Sequence, residues 1–160
     1  MEVENIKTIH LAADHAGYEH KEAIKEWLKN SVYEVVDHGA HQLHPLDDFP
    51  DFINLASLAV NESPTESCAF IFGGSGEGEA MLANRYPEVR ATVYYGGNEE
   101  IIKLSRQHND ANVLSFGSRF VSVEEVKSSI TKWLSINVLE DEKYNRRNGK
   151  IKTTVASLYK

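Results

Sequence analysis

Residues 68–79 read Cys-Ala-Phe-Ile-Phe-Gly-Gly-Ser-Gly-Glu-Gly-Glu. The continuous apolar run 68–72 is typical of a central strand of a parallel sheet, which is buried on both faces. Four glycines follow within residues 73–78, and glycine permits positive φ and a close approach of the backbone to a ligand. A helix predicted from Ala80 would add free N–H groups and a positive dipole end, which suit an anion. The stretch therefore predicts strand, loop and helix with an anion site, although a tight turn alone also explains the glycines.

The spacing of the glycines excludes two common nucleotide sites. It is not Gly-x-Gly-x-x-Gly, and no Gly-Lys-Ser/Thr follows, so neither a dinucleotide site nor a P-loop is supported. Glu77 and Glu79 could each face a bound ligand, but both are also ordinary acids for a helix N-terminus. The spacing does not choose between them.

Short apolar runs alternate with amphipathic segments along the rest of the chain. The predicted strands are residues 6–14, 33–37, 68–72, 90–95 and 112–116. The predicted helices are residues 19–30, 50–60, 80–85, 98–108 and 123–137. This alternation predicts an α/β fold with a parallel sheet covered by helices on both faces. In the first helix we expect an apolar face formed by Ala23, Ile24, Trp27 and Leu28, and a solvated face formed by Lys21, Glu22, Lys25 and Glu26.

Composition limits the class of protein. The 160 residues suit a single domain, here 1–137, followed by a charged tail, 138–160. The net charge of −7 argues against non-specific nucleic-acid binding, which needs a basic surface. We expect no membrane span, no signal peptide and, with Cys68 as the only cysteine, a cytoplasmic location.

Three segments follow predicted strands and should meet at one edge of the sheet, where such folds bind ligands. They are Asp14-His15, the glycine loop and Gly117-Ser118-Arg119. Asp14 could accept a hydrogen bond from a sugar hydroxyl, and His15 could move a proton near neutral pH. Asp14 could equally cap the helix that follows.

Several other groups have competing interpretations. His108 is a candidate acid or base, or the cap of a helix C-terminus. Lys143, Arg146 and Arg147 could bind phosphate or form a solvated charge run. The cluster of His38, His41 and His44 with nearby aspartates fits no zinc spacing, so we predict no metal. Cys68 is expected to be a core residue.

The sequence resembles the family of ribose-5-phosphate isomerase B and galactose-6-phosphate isomerase over about residues 6–151. The resemblance rests on segments 13–17, 48–51, 74–78, 83–84 and 105–114, of which Ser105-Arg106-Gln107-His108-Asn109-Asp110 is the most specific. It implies a three-layer, Rossmann-like α/β/α sandwich with a five-stranded parallel sheet. It also implies a homodimer or tetramer with shared active sites, no metal or organic cofactor, and a sugar phosphate as the small-molecule partner.

The resemblance also implies roles for individual residues. Asp14, Ser75, Glu79 and His108 would be catalytic. The substrate would be bound by Asp14, His15, Gly74, Ser75, Gly76, Glu77, Gly78, Asn109, Arg119, Lys143 and Arg147. Many members carry a cysteine base where this chain has Gly73, whereas others use a glutamate at the position of Glu79. The resemblance therefore selects Glu79 over Glu77.

The expected reaction interconverts ribose 5-phosphate and ribulose 5-phosphate through an enediolate. Phe49 stands where the family often has tyrosine, and Lys143 where arginine is usual. These departures leave open an isomerase for a hexose 6-phosphate or a tetrulose 4-phosphate. A non-catalytic sugar-phosphate-binding subunit is the alternative from another class, and the presence of both Glu79 and His108 argues against it.

Overall fold

The computed structural model describes residues 1–158 and contains one sheet of five parallel strands. The strands are β1 (Thr8–Ala13), β2 (Glu34–Asp37), β3 (Ser67–Gly73), β4 (Ala91–Tyr94) and β5 (Val113–Gly117). Their order across the sheet is β2-β1-β3-β5-β4, and every neighbouring pair is parallel. Every residue of β3 is buried, as the apolar run predicts for a central strand.

Helices cover both faces of this sheet. They are α1 (Tyr18–Leu28), α2 (Phe49–Glu62), α3 (Glu77–Ala83), α4 (Glu100–Gln107), α5 (Val123–Trp133) and α6 (Glu142–Leu158). Apolar side chains of α1, α4 and α5 form one core with one face of the sheet, and those of α2 and α3 form a second core with the other face. The predicted three-layer α/β/α sandwich is confirmed.

The prediction for the polar face of α1 is wrong in part. Lys21 is fully buried, and its Nζ atom lies 2.8 Å from the Asp37 carboxylate at the end of β2. Burial by itself would raise the pKa of Asp37, but hydrogen bonds from Lys21 and Lys25 lower it to about 2. Trp27, expected on the apolar face, is 39% exposed. Helical periodicity misplaces Lys21 because its partner, Asp37, lies beyond the helix in sequence.

The charged tail forms α6, which has no buried residue. It contacts the domain near the end of α4, where the Tyr144 ring stacks on His108 with centroids 4.2 Å apart. Residues 159 and 160 belong to the predicted tail but lie outside the described residues. None of the helices in residues 1–158 is long and apolar enough to cross a membrane.

The topology places a ligand-binding position at the carboxyl ends of β1 and β3. β1 and β3 are neighbours whose following helices, α1 and α3, cover opposite faces. This is the switch point at which open α/β sheets bind ligands, just outside the carboxyl ends of the strands. Asp14 and the glycine loop follow these two strands directly.

Candidate active site

The glycine loop connects β3 to α3 and is fixed to the loop that follows β5. Gly73 pairs with Gly117 at the end of the β3–β5 ladder, and the Ser118 N–H donates to the Gly73 carbonyl at 2.8 Å. Gly76 precedes α3 with φ of +79°, a backbone conformation that residues other than glycine rarely adopt. The loop is therefore a built turn rather than a mobile linker.

Backbone N–H groups in this loop are available to a ligand. Those of Gly74, Ser75 and Gly76 donate no hydrogen bond within the described residues 1–158. The Ser75 hydroxyl is exposed and accepts from the Glu77 N–H at 3.3 Å. Successive free N–H groups before a helix form a concave site for negative charge.

The structure distinguishes the two acids of the loop. Glu77 is exposed, whereas Glu79 is only 4% exposed. A Cβ atom placed on Gly73 would lie 1.8 Å from Oε1 of Glu79, so the carboxylate occupies the space that a side chain at position 73 would fill. Burial raises the pKa of Glu79, and the negative charge of Asp14 adds to that rise. The arrangement gives a buried carboxylate with increased basicity below the glycine loop.

Asp14 supports the local backbone and also faces the site. Its Oδ1 atom accepts from the N–H groups of Ala16 at 2.9 Å and Gly17 at 3.3 Å. This is the helix-entry role that the sequence left open. The side chain is buried and close enough to Glu79 to affect its pKa, so Asp14 also belongs to the ligand edge.

His15 forms a close pair with Asp47, a residue that the sequence prediction did not select. The Asp47 Oδ1 atom lies 2.7 Å from the His15 Nδ1 atom and accepts the His15 backbone N–H at 2.9 Å. The hydrogen bond to Asp47 raises the pKa of His15. An aspartate 32 residues away gives no local sequence signal of this contact.

Asp14, His15 and Asp47 are also the group whose potential metal-ligand atoms all lie within 4.8 Å of one another. The 2.7 Å contact between His15 Nδ1 and Asp47 Oδ1 has the geometry of a hydrogen-bonded ion pair. We therefore interpret the group as an ion pair and assign no metal to it. The histidines 38, 41 and 44, considered as ligands from sequence, do not form such a group within residues 1–158.

Arg119 and Phe49 flank the glycine loop. The Arg119 guanidinium carbon would lie 3.1 Å from a Cβ atom on Gly74, which puts a cation directly beside the loop. The Phe49 ring, at the start of α2, would lie 3.1 Å from a Cβ atom on Gly78. Side chains at either glycine would displace these two residues.

The remaining predicted site residues lie at the opposite edge of the sheet. His108 and Asn109 come between α4 and the first residue of β5, where the strand begins. His108 packs against Tyr144, and its carbonyl accepts from the Asn148 side chain at 3.1 Å. Lys143 and Arg147 are exposed on the same helix, α6. The five residues of β5 separate the two edges by roughly 16 Å at about 3.3 Å per residue.

Cys68 is confirmed as a core residue. It is fully buried in β3, and burial raises the pKa of its thiol to about 12. A thiol with this pKa supplies almost no thiolate at neutral pH. The only cysteine of the chain is therefore unsuited to act as a base or nucleophile.

Comparison with known proteins agrees with this fold. Residues 9–151 match the model of a family described as Ribose/Galactose Isomerase. A probable ribose-5-phosphate isomerase B from Mycoplasma pneumoniae is 34% identical over 143 residues, covering 89% of this chain and 91% of the relative. Ribose-5-phosphate isomerase B from Mycobacterium tuberculosis is 32% identical over 139 residues, covering 87% and 84%. The crystal structure of ribose-5-phosphate isomerase B from Mycoplasma genitalium with bound ribulose-5-phosphate aligns with a TM-score of 0.86 and 34% identity, covering 92% of this chain and 95% of that one.

These matches define an α/β protein of the sugar isomerase class. The chain belongs to the Ribose/Galactose Isomerase family, as the sequence resemblance predicts.

Proposed function

We propose that the chain is an isomerase that interconverts ribose 5-phosphate and ribulose 5-phosphate through an enediolate. The observation that carries this proposal is the buried Glu79 carboxylate beneath the free N–H groups of the glycine loop. Isomerisation moves a proton between C1 and C2, so it needs a base and a site for negative charge on oxygen. The carboxylate supplies the first requirement and the loop the second.

Glu79 is the proposed base. Its raised pKa increases its basicity without requiring a metal or a thiol. Ser75 and the loop N–H groups at Gly74 and Gly76 are the proposed donors to the enediolate oxygen. Preorganised donors of this kind contribute on the order of 10²–10³ in rate each.

The proposed site is completed by a second copy of the chain. His108, acting with Asp14 to open the sugar ring, lies at the opposite edge from Glu79 within one chain. A gap of roughly 16 Å is too long for both to reach one pentose in the same subunit. We infer a homodimer, or a tetramer built from such dimers, in which each site takes groups from two chains.

The same division applies to substrate binding. His15 and Arg119 would hold the phosphate from one subunit, and Lys143 and Arg147 from the other. Asn109 of the second subunit and Glu77 with Gly78 of the first would line the sugar. Local cations are needed here because the chain as a whole carries a charge of −7.

The base is tested by solvent exchange. Glu79→Gln should abolish deuterium incorporation from solvent at C1 of ribulose 5-phosphate and at C2 of ribose 5-phosphate, while leaving substrate binding largely intact. Glu77→Gln, which removes an exposed acid from the same helical turn, should retain exchange at saturating substrate, because Glu77 is proposed only to line the sugar. Exchange that survives in Glu79→Gln would contradict the assignment, and a panel with a hexose 6-phosphate and a tetrulose 4-phosphate would identify a different preferred substrate.

The shared site is tested by complementation. Glu79→Gln and His108→Asn should each be inactive alone. Mixed subunits should regain about one quarter of wild-type activity, because half of the random dimers hold one intact site. No recovery in mixtures shown by native mass spectrometry to contain heterodimers would exclude sharing of these two residues.

Two broader assignments are part of the same proposal. We infer that residues 1–137 form the isomerase domain and that residues 138–160 supply phosphate-binding and interface residues. We also infer a cytoplasmic location, which suits the unpaired Cys68 and a sugar-phosphate substrate.

A further inference from the structure

Asp47 is the inward-facing residue of an otherwise solvated loop. Residues 41–46, which precede it, are all exposed, whereas the Asp47 side chain is 11% exposed. Its Oδ1 atom accepts two hydrogen bonds from His15, one from the backbone N–H and one from the ring. Its Oδ2 atom is buried and has no partner within the described residues. The loop therefore delivers one carboxylate to the ligand edge of the sheet.

Backbone contacts hold this carboxylate in place. Ala13 and Gly39 are joined by a hydrogen bond of 2.7 Å, and the Ala40 N–H donates to the Ala13 carbonyl at 2.6 Å. These bonds tie the start of the loop to the end of β1, one residue before Asp14. At the other end, the Asp47 N–H donates to the His44 carbonyl at 3.1 Å in a turn within the loop, and α2 begins two residues later at Phe49. The start of the loop is thus tied to β1, and the two hydrogen bonds from His15 hold the Asp47 carboxylate itself.

The contact determines which part of the imidazole faces a ligand. Because Nδ1 is bonded to Asp47, the opposite ring nitrogen, Nε2, is left without a partner within residues 1–158. A cationic ring would donate its Nε2–H to a phosphate oxygen. A neutral ring that keeps its proton on Nδ1 would instead present the lone pair of Nε2, which repels a phosphate dianion.

We propose that Asp47 is a positioning residue that fixes the His15 ring and keeps it cationic for the substrate phosphate. The inference rests on the proposed function, in which His15 holds that phosphate. Three charged groups act on the ring: the hydrogen bond to Asp47 and the charge of Asp14 both raise the pKa of His15, and Arg119 lowers it. Asp47 therefore opposes the lowering of the His15 pKa by Arg119, a cation that is itself proposed to bind the phosphate.

The test replaces the charge and keeps the shape. Asp47→Asn retains an acceptor oxygen for both hydrogen bonds but removes the negative charge. Asp51→Asn, an exposed position in the first turn of α2, is the matched control. For each protein, kcat and KM for ribose 5-phosphate and the inhibition constant of inorganic phosphate are measured from pH 6 to pH 9.

In Asp47→Asn, we expect kcat to stay within about twofold, and KM and the phosphate inhibition constant to rise about tenfold or more at pH 8, as for loss of a hydrogen bond to a charged group. The difference should shrink toward pH 6, where a larger fraction of the ring is protonated in both proteins. The midpoint of the KM–pH curve should move to lower pH in Asp47→Asn, and Asp47→Glu should restore part of the shift. Asp51→Asn should follow the wild type.

NMR titration of His15, assigned with His15→Gln, separates the outcomes. In the wild type, this histidine should titrate above an ordinary histidine, and in Asp47→Asn at lower pH. A fall in kcat, a rise in KM and a fall in thermal stability that are the same at every pH would show a purely structural role and overturn the proposal. A His15 pKa in the wild type that equals that of an ordinary histidine would also overturn it. If the wild type binds phosphate with the expected titration but isomerises no sugar phosphate, the proposed function fails while the role of Asp47 stands.

Discussion

Gly73→Ala tests whether activity requires the Glu79 carboxylate to occupy the space beside Gly73. The new methyl group would lie 1.8 Å from Oε1 and 2.1 Å from Cδ of Glu79. Since ordinary contact begins at 3.4 Å, the carboxylate must retreat by about 1.6 Å. A displacement of about 1 Å of a catalytic group can cost on the order of 10² in rate, so we expect kcat to fall by about 10² or more, or about 2.7 kcal/mol.

The same change should leave the fold almost intact. Gly73 is not among the glycines with positive φ, so alanine fits its backbone conformation. The atoms that must move are the end of a flexible side chain rather than backbone. Gly149→Ala, where a Cβ meets nothing within 4 Å, is the matched control and should retain both activity and stability.

A double-mutant cycle measures the mechanism directly. In the Glu79→Ala background, the space beside Gly73 is empty, so Gly73→Ala should change the residual kcat of that variant by no more than about twofold. The assay is ribulose 5-phosphate formation together with deuterium exchange at C2 of ribose 5-phosphate, and thermal unfolding is followed in parallel. Full activity of Gly73→Ala, or the same large loss in both backgrounds, would refute the idea that position 73 acts through Glu79.

Three further outcomes follow from the buried titratable groups. Glu79→Gln should raise the free energy of unfolding at pH 7, because the folded wild type must bury a charged carboxylate whose pKa is raised by burial. This gain, measured by urea unfolding, should shrink as the pH falls through the raised pKa, since the wild-type carboxyl group then becomes neutral. His10, whose pKa is lowered to about 4 by burial and by His38, binds its proton more readily when unfolded, so stability should fall by up to about 3 kcal/mol between pH 6.5 and pH 4. His10→Gln should flatten that slope, and an unchanged slope would assign it to other groups. Iodoacetamide at pH 8 should leave native Cys68 unmodified by mass spectrometry and activity unchanged, since its thiol pKa is about 12; inactivation with the fold intact would reopen the choice of base.

Local patterns were sufficient to predict the fold. An apolar run such as residues 68–72 reports burial on both faces, and alternation of such runs with helical periods determines the layers. The start of α3 is harder to predict from sequence. The helix begins at Glu77, inside the glycine stretch, three residues before the predicted Ala80. Gly76 at positive φ acts as the helix cap there, and sequence alone does not give a dihedral angle.

Pairs distant in sequence were beyond such patterns. Helical periodicity places Lys21 in solvent because it describes one helix, whereas the burial of Lys21 depends on Asp37 at the end of β2. The pair of His15 and Asp47 gives no local signal for the same reason, because its members are 32 residues apart. Strand ends predict that Asp14, His15, the glycine loop and Arg119 meet, and the family resemblance adds the choice of Glu79. The distance of His108 from them becomes clear only when the sheet edges are assigned.

A side chain at position 73 and the side chain of Glu79 would occupy the same volume. One position reaches it from the end of a strand and the other from the first turn of a helix, so large side chains at both cannot coexist without displacing the carboxylate. Burial acts differently on the two chemistries that could fill this space. It raises the basicity of a carboxylate, which helps proton abstraction, but it suppresses the thiolate that a cysteine base would need, as Cys68 illustrates. A thiol at position 73 would therefore depend on the free N–H groups and dipole at the start of α3 to recover its charge, whereas Glu79 gains basicity from burial directly.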